Sequence, residues 1–191
     1  MNYLAHLYLS FDDEQLLVGN YIADAVKGRQ IDQFPEGIKN GIILHRKIDE
    51  FTDSYPVVEQ SKSRIRSRYR KYSGVVVDMY YDHFLARNWG NYSTVPLANF
   101  AESVYDSIEQ HWDFLPEKSQ YMFPYMKSGN WLMRYATTKG IEKSLTGMSR
   151  RLNNNSKLEL AIDQLHEFYE LFKSEFEIFI PDLNKQFEHY H

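Results

Sequence analysis

Apolar residues recur at intervals of three and four along almost the whole chain, and strict alternation is scarce. That is the helical period. Pro and Gly interrupt it at spacings that suit helices of about three to five turns, so the sequence predicts an all-α fold, a compact multi-helix domain of six to eight helices. A first helix is expected from about Asp12 to Lys27, with Ser10 and Asp13 in capping-box spacing and Gly28 as its stop. A second follows Pro35 and carries Ile38, Ile42, His45, Ile48 and Asp49 near one face before Pro56 ends it. Val57 to Lys71 and, past Gly74, Val75 to Trp89 read as the third and fourth.

The clearest stripe lies between Pro96 and Leu115, where Leu97, Phe100, Ala101, Val104, Tyr105, Ile108, Trp112 and Leu115 share one helical face. Shorter helices are expected around Tyr121 to Lys127, Trp131 to Ala136 and Ile141 to Arg151, set apart by Gly129 and Gly140. Asn153 to Ser156 reads as a polar turn. Lys157 to about Ile180 reads as one long amphipathic helix that Pro181 bends or ends. With no internal repeat and no linker, residues 1–191 are expected to form one domain.

Composition changes this picture in two ways. Aromatic residues make up 16% of the chain, so the helix faces are filled by large rings with polar tips, and the stripes containing Trp112, Trp131, Phe168, Tyr169 and Phe172 read first as core. No cysteine is present, which excludes a disulfide framework and a thiolate metal site and leaves His, Asp and Glu as the available ligands. No apolar run reaches membrane-spanning length and the first residues lack a secretory pattern. A soluble, cytoplasmic protein is expected. The net charge of −4 is against nucleic-acid binding by the surface as a whole.

His and Asp concentrate in the first 90 residues: His6, Asp24, His45, Asp49, Asp53, Asp78, Asp82 and His83. Positions four apart lie on one helix face, so His45 with Asp49, and Asp78 with Asp82, can each enter one shared space, and Asn20 with Asp24 repeats the spacing. Imidazole and carboxylate together suit Mn²⁺, Fe²⁺, Mg²⁺ or Zn²⁺, the chemistry of a phosphoester hydrolase. The bland alternative is a satisfied core histidine at 45 and ordinary ion pairs at the acids. Against it stands the segment Asp78-Met-Tyr-Tyr-Asp82-His83-Phe84-Leu85, which sets ionisable groups in apolar surroundings where unpaired charge is costly.

The set Asn2-Tyr-Leu-Ala-His6-Leu, Gly19-Asn20-x-x-Ala23-Asp24, His45-Arg46-x-Ile48-Asp49-x-x-Thr52-Asp53, Asp82-His83-Phe84-Leu85, Trp131-Leu132-x-Arg134-Tyr135 and Gly147-Met148-x-x-Arg151 resembles, in order and spacing, the acyl carrier protein phosphodiesterases. The likeness spans residues 1 to about 151. It implies hydrolysis of the phosphodiester that joins 4′-phosphopantetheine to a serine of holo acyl carrier protein, and a fold like that of the His-Asp (HD) metal-dependent phosphohydrolases, with manganese favoured. This chain reads Asp82-His83, the reverse of that superfamily's usual His-Asp order. Carried over by motif, the metal ligands implied are Asp24, His45, Asp82 and His83, then His6, with Asn20, Asp49 and Asp78 as further ligands or supporting groups. Arg46, Asp49 and Asp78 are the catalytic candidates; Arg46 either stabilises phosphoryl charge or pairs with Asp49 or Glu50.

Lys62, Arg64, Arg66, Arg68, Arg70 and Lys71 place six cations in ten residues of an acidic chain. A solvated helix face is one reading, and RNA binding another. The resemblance favours docking of an acidic acyl carrier protein there. Two rival functions share these residues: a metal-dependent phosphohydrolase of nucleotides or other small phosphoesters, and a non-catalytic helical module for an acidic partner.

Overall fold

The computed structural model describes residues 1–10, 13–152 and 156–190. Eleven α-helices are present among them, and no strand: α1 (Tyr3–Tyr8), α2 (Glu14–Ile22), α3 (Glu36–Ser54), α4 (Pro56–Tyr69), α5 (Ser73–Arg87), α6 (Leu97–Gln110), α7 (Glu117–Ser128), α8 (Trp131–Arg134), α9 (Thr138–Arg151), α10 (Ala161–Glu167) and α11 (Tyr169–Phe187). The all-α expectation holds, and the count exceeds six to eight because several helices are a single turn or two.

Local rules explain most boundaries. Asp13 caps α2, its carboxylate accepting the Leu16 amide at 2.9 Å; it is itself the N-cap and not the third residue of a box opened at Ser10. Asp12 lies outside the described residues. Pro56 opens α4, where its missing amide removes no bond. The stripe of α6 ends at Gln110, short of the expected Leu115, because Leu115 precedes Pro116 and is extended at ψ 126°.

Two expectations are corrected. The long C-terminal helix is divided: α10 ends at Glu167, Phe168 leaves helical geometry (φ −115°, ψ 26°), and α11 starts at Tyr169. Pro181 ends nothing, since α11 continues through it to Phe187, with Ile180 and Leu183 buried on either side. Of the expected Asn153 to Ser156 turn, residues 153–155 lie outside the described residues.

Helix α1 was not expected, being too short to show a period. Asn2 caps it, accepting the Tyr3 amide at 2.7 Å. Helix α5 runs through the middle, touching α1, α4, α9 and α11. Val76, Val77, Met79, Tyr80, Tyr81, Phe84 and Leu85 are buried around its circumference, so the middle of α5 has no solvent face. Asp82 and His83, in that buried stretch, must therefore find partners inside.

The most extensive helix–helix contact is between α2 and α3. A Cβ at Gly19 would lie 2.1 Å from the Ile38 carbonyl oxygen and 2.8 Å from the Gly41 Cα, so only glycine permits this crossing. It sets Asn20 against His45. No helix among the described residues is long and apolar enough to cross a membrane.

Candidate metal centre

Three helices supply the centre. His6 lies on α1, His45 and Asp49 occupy successive turns of α3, and Asn20 comes from α2. The rings of His6 and His45 stack with centroids 3.9 Å apart and planes 12° from parallel. Asp49 spans them: one oxygen lies 3.1 Å from His6 Nε2, the other 3.3 Å from His45 Nε2. Asp24 Oδ1 lies 3.5 Å from the same His45 nitrogen, on a side chain 74% exposed, so the centre opens to solvent on that side.

Asn20 organises the centre from behind. Its backbone and side-chain oxygens both lie 3.0 Å from His45 Nδ1, so this nitrogen donates and Nε2 is left to face the carboxylates. The Asn20 amide in turn donates to the His6 carbonyl at 2.6 Å and to Ser10 Oγ at 3.3 Å. One side chain thus ties α1 to α3 and fixes the His45 ring, the support a ligating imidazole needs.

Burial and the neighbouring His45 charge pull His6 down to about 4. Burial also acts to lower His45, but hydrogen bonds and charge from Asp24 and Asp49 outweigh it and raise His45 to about 9. Burial works to raise Asp49, yet the two imidazoles and the Met1 amino group hold it well below the usual carboxylate range. Hydrogen bonding to His45 lowers Asp24 as well. Near neutral pH the cluster is two carboxylates facing one imidazolium, with a net negative charge.

Ligand atoms of His6, His45 and Asp49 all lie within 4.8 Å of one another, the one such group of three among the described residues. The donor set fits a divalent cation: two imidazole nitrogens and carboxylate oxygen, one ring already braced by Asn20, and a charge of two at Asp24 and Asp49 to be balanced.

The other candidates are directed elsewhere. Asp82 is fully buried on α5 and accepts the amides of Leu4 at 2.7 Å and Ala5 at 3.3 Å; burial still raises its carboxyl to about 7. His83, also fully buried, places Nδ1 2.7 Å from the Tyr135 carbonyl and Nε2 3.2 Å from the Tyr169 hydroxyl. Both ring nitrogens are engaged, so His83 pins α5 to the α8 region and α11 and has no ring nitrogen free for the cluster. Asp78 lies 3.2 Å from the Met1 amino group. Arg46 pairs with neither Asp49 nor Glu50 and donates to the Val26 carbonyl at 3.3 Å, two residues beyond Asp24.

The basic segment is divided too. Lys62 is buried and meets Asp53 at 2.5 Å, and Arg64 makes a bidentate contact with the buried Glu175 at 2.7 and 2.6 Å. These two brace the fold and are unavailable for docking. Arg66, Arg68, Arg70 and Lys71 are exposed, Arg66 meeting Glu59 at 2.7 Å. Sequence reasoning gave no role to Glu175, whose pairing with Arg64 carries no spacing signal and arises only from the packing of α4 against α11.

A family model described as acyl carrier protein phosphodiesterase matches residues 1–183. The chain is similar to proteins named acyl carrier protein phosphodiesterase in Photorhabdus laumondii (34% identity, covering 98% of this chain and 96% of that one), Yersinia pestis (33%, covering 99% and 98%) and Escherichia coli O139:H28 (34%, covering 99% and 98%). No solved structure is significantly similar to the chain, so no structural match bears on the expected likeness to the HD phosphohydrolases. A match over residues 1–183, with identity sustained across nearly the full length of each relative, settles the relationship: this chain belongs to the acyl carrier protein phosphodiesterase family.

Proposed function

We propose that this chain, acting as a single helical domain, hydrolyses the phosphodiester between 4′-phosphopantetheine and a serine of holo acyl carrier protein, using a divalent cation held by His6, His45 and Asp49 with Asp24 beside them. The observation that carries the reading is the stacked His6–His45 pair sharing Asp49. Manganese is the first choice, and Mg²⁺, Fe²⁺ and Zn²⁺ also suit the donors. When bound, such an ion polarises a phosphoryl oxygen and lowers the pKa of a water.

The protein's own groups supply position. Asn20 holds the His45 ring so that Nε2 faces the cluster. Asp82 fixes the start of α1 and with it His6. Arg46, which donates to the Val26 carbonyl two residues past Asp24, meets phosphoryl charge with its planar guanidinium. Water adds to phosphorus, the bond from phosphorus to the serine oxygen breaks, and that oxygen departs with a proton as the serine hydroxyl. The exposed cations Arg66, Arg68, Arg70 and Lys71 guide the acidic carrier protein by long-range attraction.

The test is incubation with holo carrier protein and Mn²⁺, followed by intact-mass measurement. Loss of the phosphopantetheine mass, abolished by chelation, is the expected result. An unchanged mass alongside hydrolysis of a nucleotide panel would move the substrate to small phosphoesters. No hydrolysis and no bound metal would leave a non-catalytic module.

A further inference from the structure

Two of the motifs behind the family resemblance, Trp131 to Tyr135 and Gly147 to Arg151, contribute nothing to the His6–His45–Asp49 cluster. They meet instead at a separate cavity of about 300 Å³ lined by α7, α8 and α9. Its walls include Trp131, Tyr135 and Met148, and Tyr121 and Tyr125, 68% and 55% exposed with ring centroids 5.5 Å apart, add open aromatic surface. Three cations line it, Arg134, Lys143 and Arg151, and no acid does. Arg151 lies over the Trp131 ring at 6.0 Å.

The cavity adjoins the helix that carries the metal centre. The Trp131 ring is 6.3 Å from that of Tyr3, and Tyr3 sits one turn before His6 on α1, so the two share a helix face. A ligand in the cavity is therefore one aromatic ring away from the element that presents His6.

Side chains of this kind select a particular chemistry. Arg and Lys are hydrogen-bond donors without acceptors, and with no acid lining the cavity to neutralise them they call for acceptor-rich, anionic groups. The aromatic and methionine walls call for methyl and methylene groups. Pantetheine phosphate offers both, with phosphate and amide carbonyl oxygens along a chain that carries a gem-dimethyl group. We propose that this cavity binds the pantetheine portion of the substrate's 4′-phosphopantetheine arm, the apolar walls covering its methyl groups, Arg134 and Lys143 meeting its amide carbonyl oxygens, and Arg151, on the Trp131 and Tyr3 side, facing the phosphate that the metal centre holds. The assignment rests on the proposed substrate.

Gly147 provides the test. A Cβ there meets nothing within 4 Å and the residue is helical, so Gly147→Leu fills the cavity while improving helix propensity. Calorimetric titration of the whole chain with 4′-phosphopantetheine and with pantetheine, in chelator, reads this cavity independently of any metal. Wild type is expected to bind both, 4′-phosphopantetheine more tightly. Gly147→Leu should weaken both by about tenfold or more with circular dichroism and Tm at least equal to wild type, and Lys143→Gln should weaken 4′-phosphopantetheine and pantetheine alike, since both carry the amide carbonyl oxygens it meets. Wild-type binding by a folded Gly147→Leu, wild-type affinity of Lys143→Gln for 4′-phosphopantetheine, or no binding by wild type would each overturn the proposal. Failure of the substrate reading shows differently, as holo carrier protein left intact by wild type.

Discussion

The carboxylate of Asp82 on α5 accepts the backbone amide of Leu4 at 2.7 Å, two residues before His6. It does for α1 what an N-cap does for any helix, but from 78 residues away. Leu4 and Ala5 are both fully buried, so losing this acceptor leaves two amides without water or partner. Asp82→Ala should cost about 2–6 kcal/mol, from about 1–3 kcal/mol for each buried group left unsatisfied, and should release His6 from its place. A chemical denaturation curve checks this; wild-type stability would return Asp82 to the role of a ligand.

His45→Ala and His83→Ala separate two buried histidines of different role. His45 faces Asp24 and Asp49 and is 9% exposed, whereas His83 is fully enclosed with both nitrogens bonded within the fold. The first should lose metal while melting near the wild-type temperature, and the second should lose stability while the folded fraction still takes up metal. Metal analysis beside thermal denaturation reads both. Metal retained by His45→Ala would remove that residue from the centre.

Gly19→Ala tests the crossing that presents Asn20. The new methyl would sit 2.1 Å from a backbone oxygen, which cannot move aside as a side-chain tip can. A cost of about 1–3 kcal/mol is expected, together with weaker metal binding as Asn20 and His45 separate. Gly147→Ala, with open space around it, is the internal control. Equal stability for the two variants would mean that α2 and α3 are not held by this contact.

Among the six cations of the basic segment, the consequences of removal should differ in kind. Arg64→Ala strands the buried Glu175 and should destabilise by about 3–5 kcal/mol. Neutralising Arg66, Arg68, Arg70 and Lys71 should leave Tm within a degree or two of wild type and raise KM for holo carrier protein, with the effect shrinking as salt rises because exposed charges are screened over about 8–10 Å. A salt series of kcat/KM reads the difference. No change at low salt would leave the segment a solvated helix face.

Alkaline stability follows from the buried rings. Burial pushes the hydroxyls of Tyr21, Tyr80, Tyr81 and Tyr135 well above the ordinary tyrosine value. A group raised in the folded state contributes stability that is intact below its unfolded pKa, about 10 for tyrosine, and lost as pH climbs toward the folded value. Each such ring removes about 1.4 kcal/mol per pH unit above that point. Tyrosinate absorbance and helical dichroism should therefore change together in one step above pH 10. Gradual ionisation with helix content retained would show that these rings are reachable by hydroxide.

Much of this protein is written locally. A period of three and four with Pro and Gly breaks is enough for an all-α chain, because helix faces need only neighbours within one turn to declare themselves. The pairing of His45 with Asp49 was legible for the same reason, both lying on one face of α3 four residues apart. His6 and Asp24 stood out in the His- and Asp-rich first 90 residues, Asp24 also by its spacing from Asn20, and the motif resemblance added to both. What tertiary structure decided is where each ionisable group spends its charge. Asp82 and His83 stand in the same apolar segment and read alike in sequence, yet one caps a helix that begins the chain and the other bridges α5 to α11. Lys62 and Arg64 read like Arg68 and Arg70, yet Asp53 and Glu175 claim them. Those outcomes depend on partners 9 to 111 residues away, brought near by burial of apolar faces that carry no information about which polar side chains will meet. Sequence periodicity specifies the face; only packing specifies the partner.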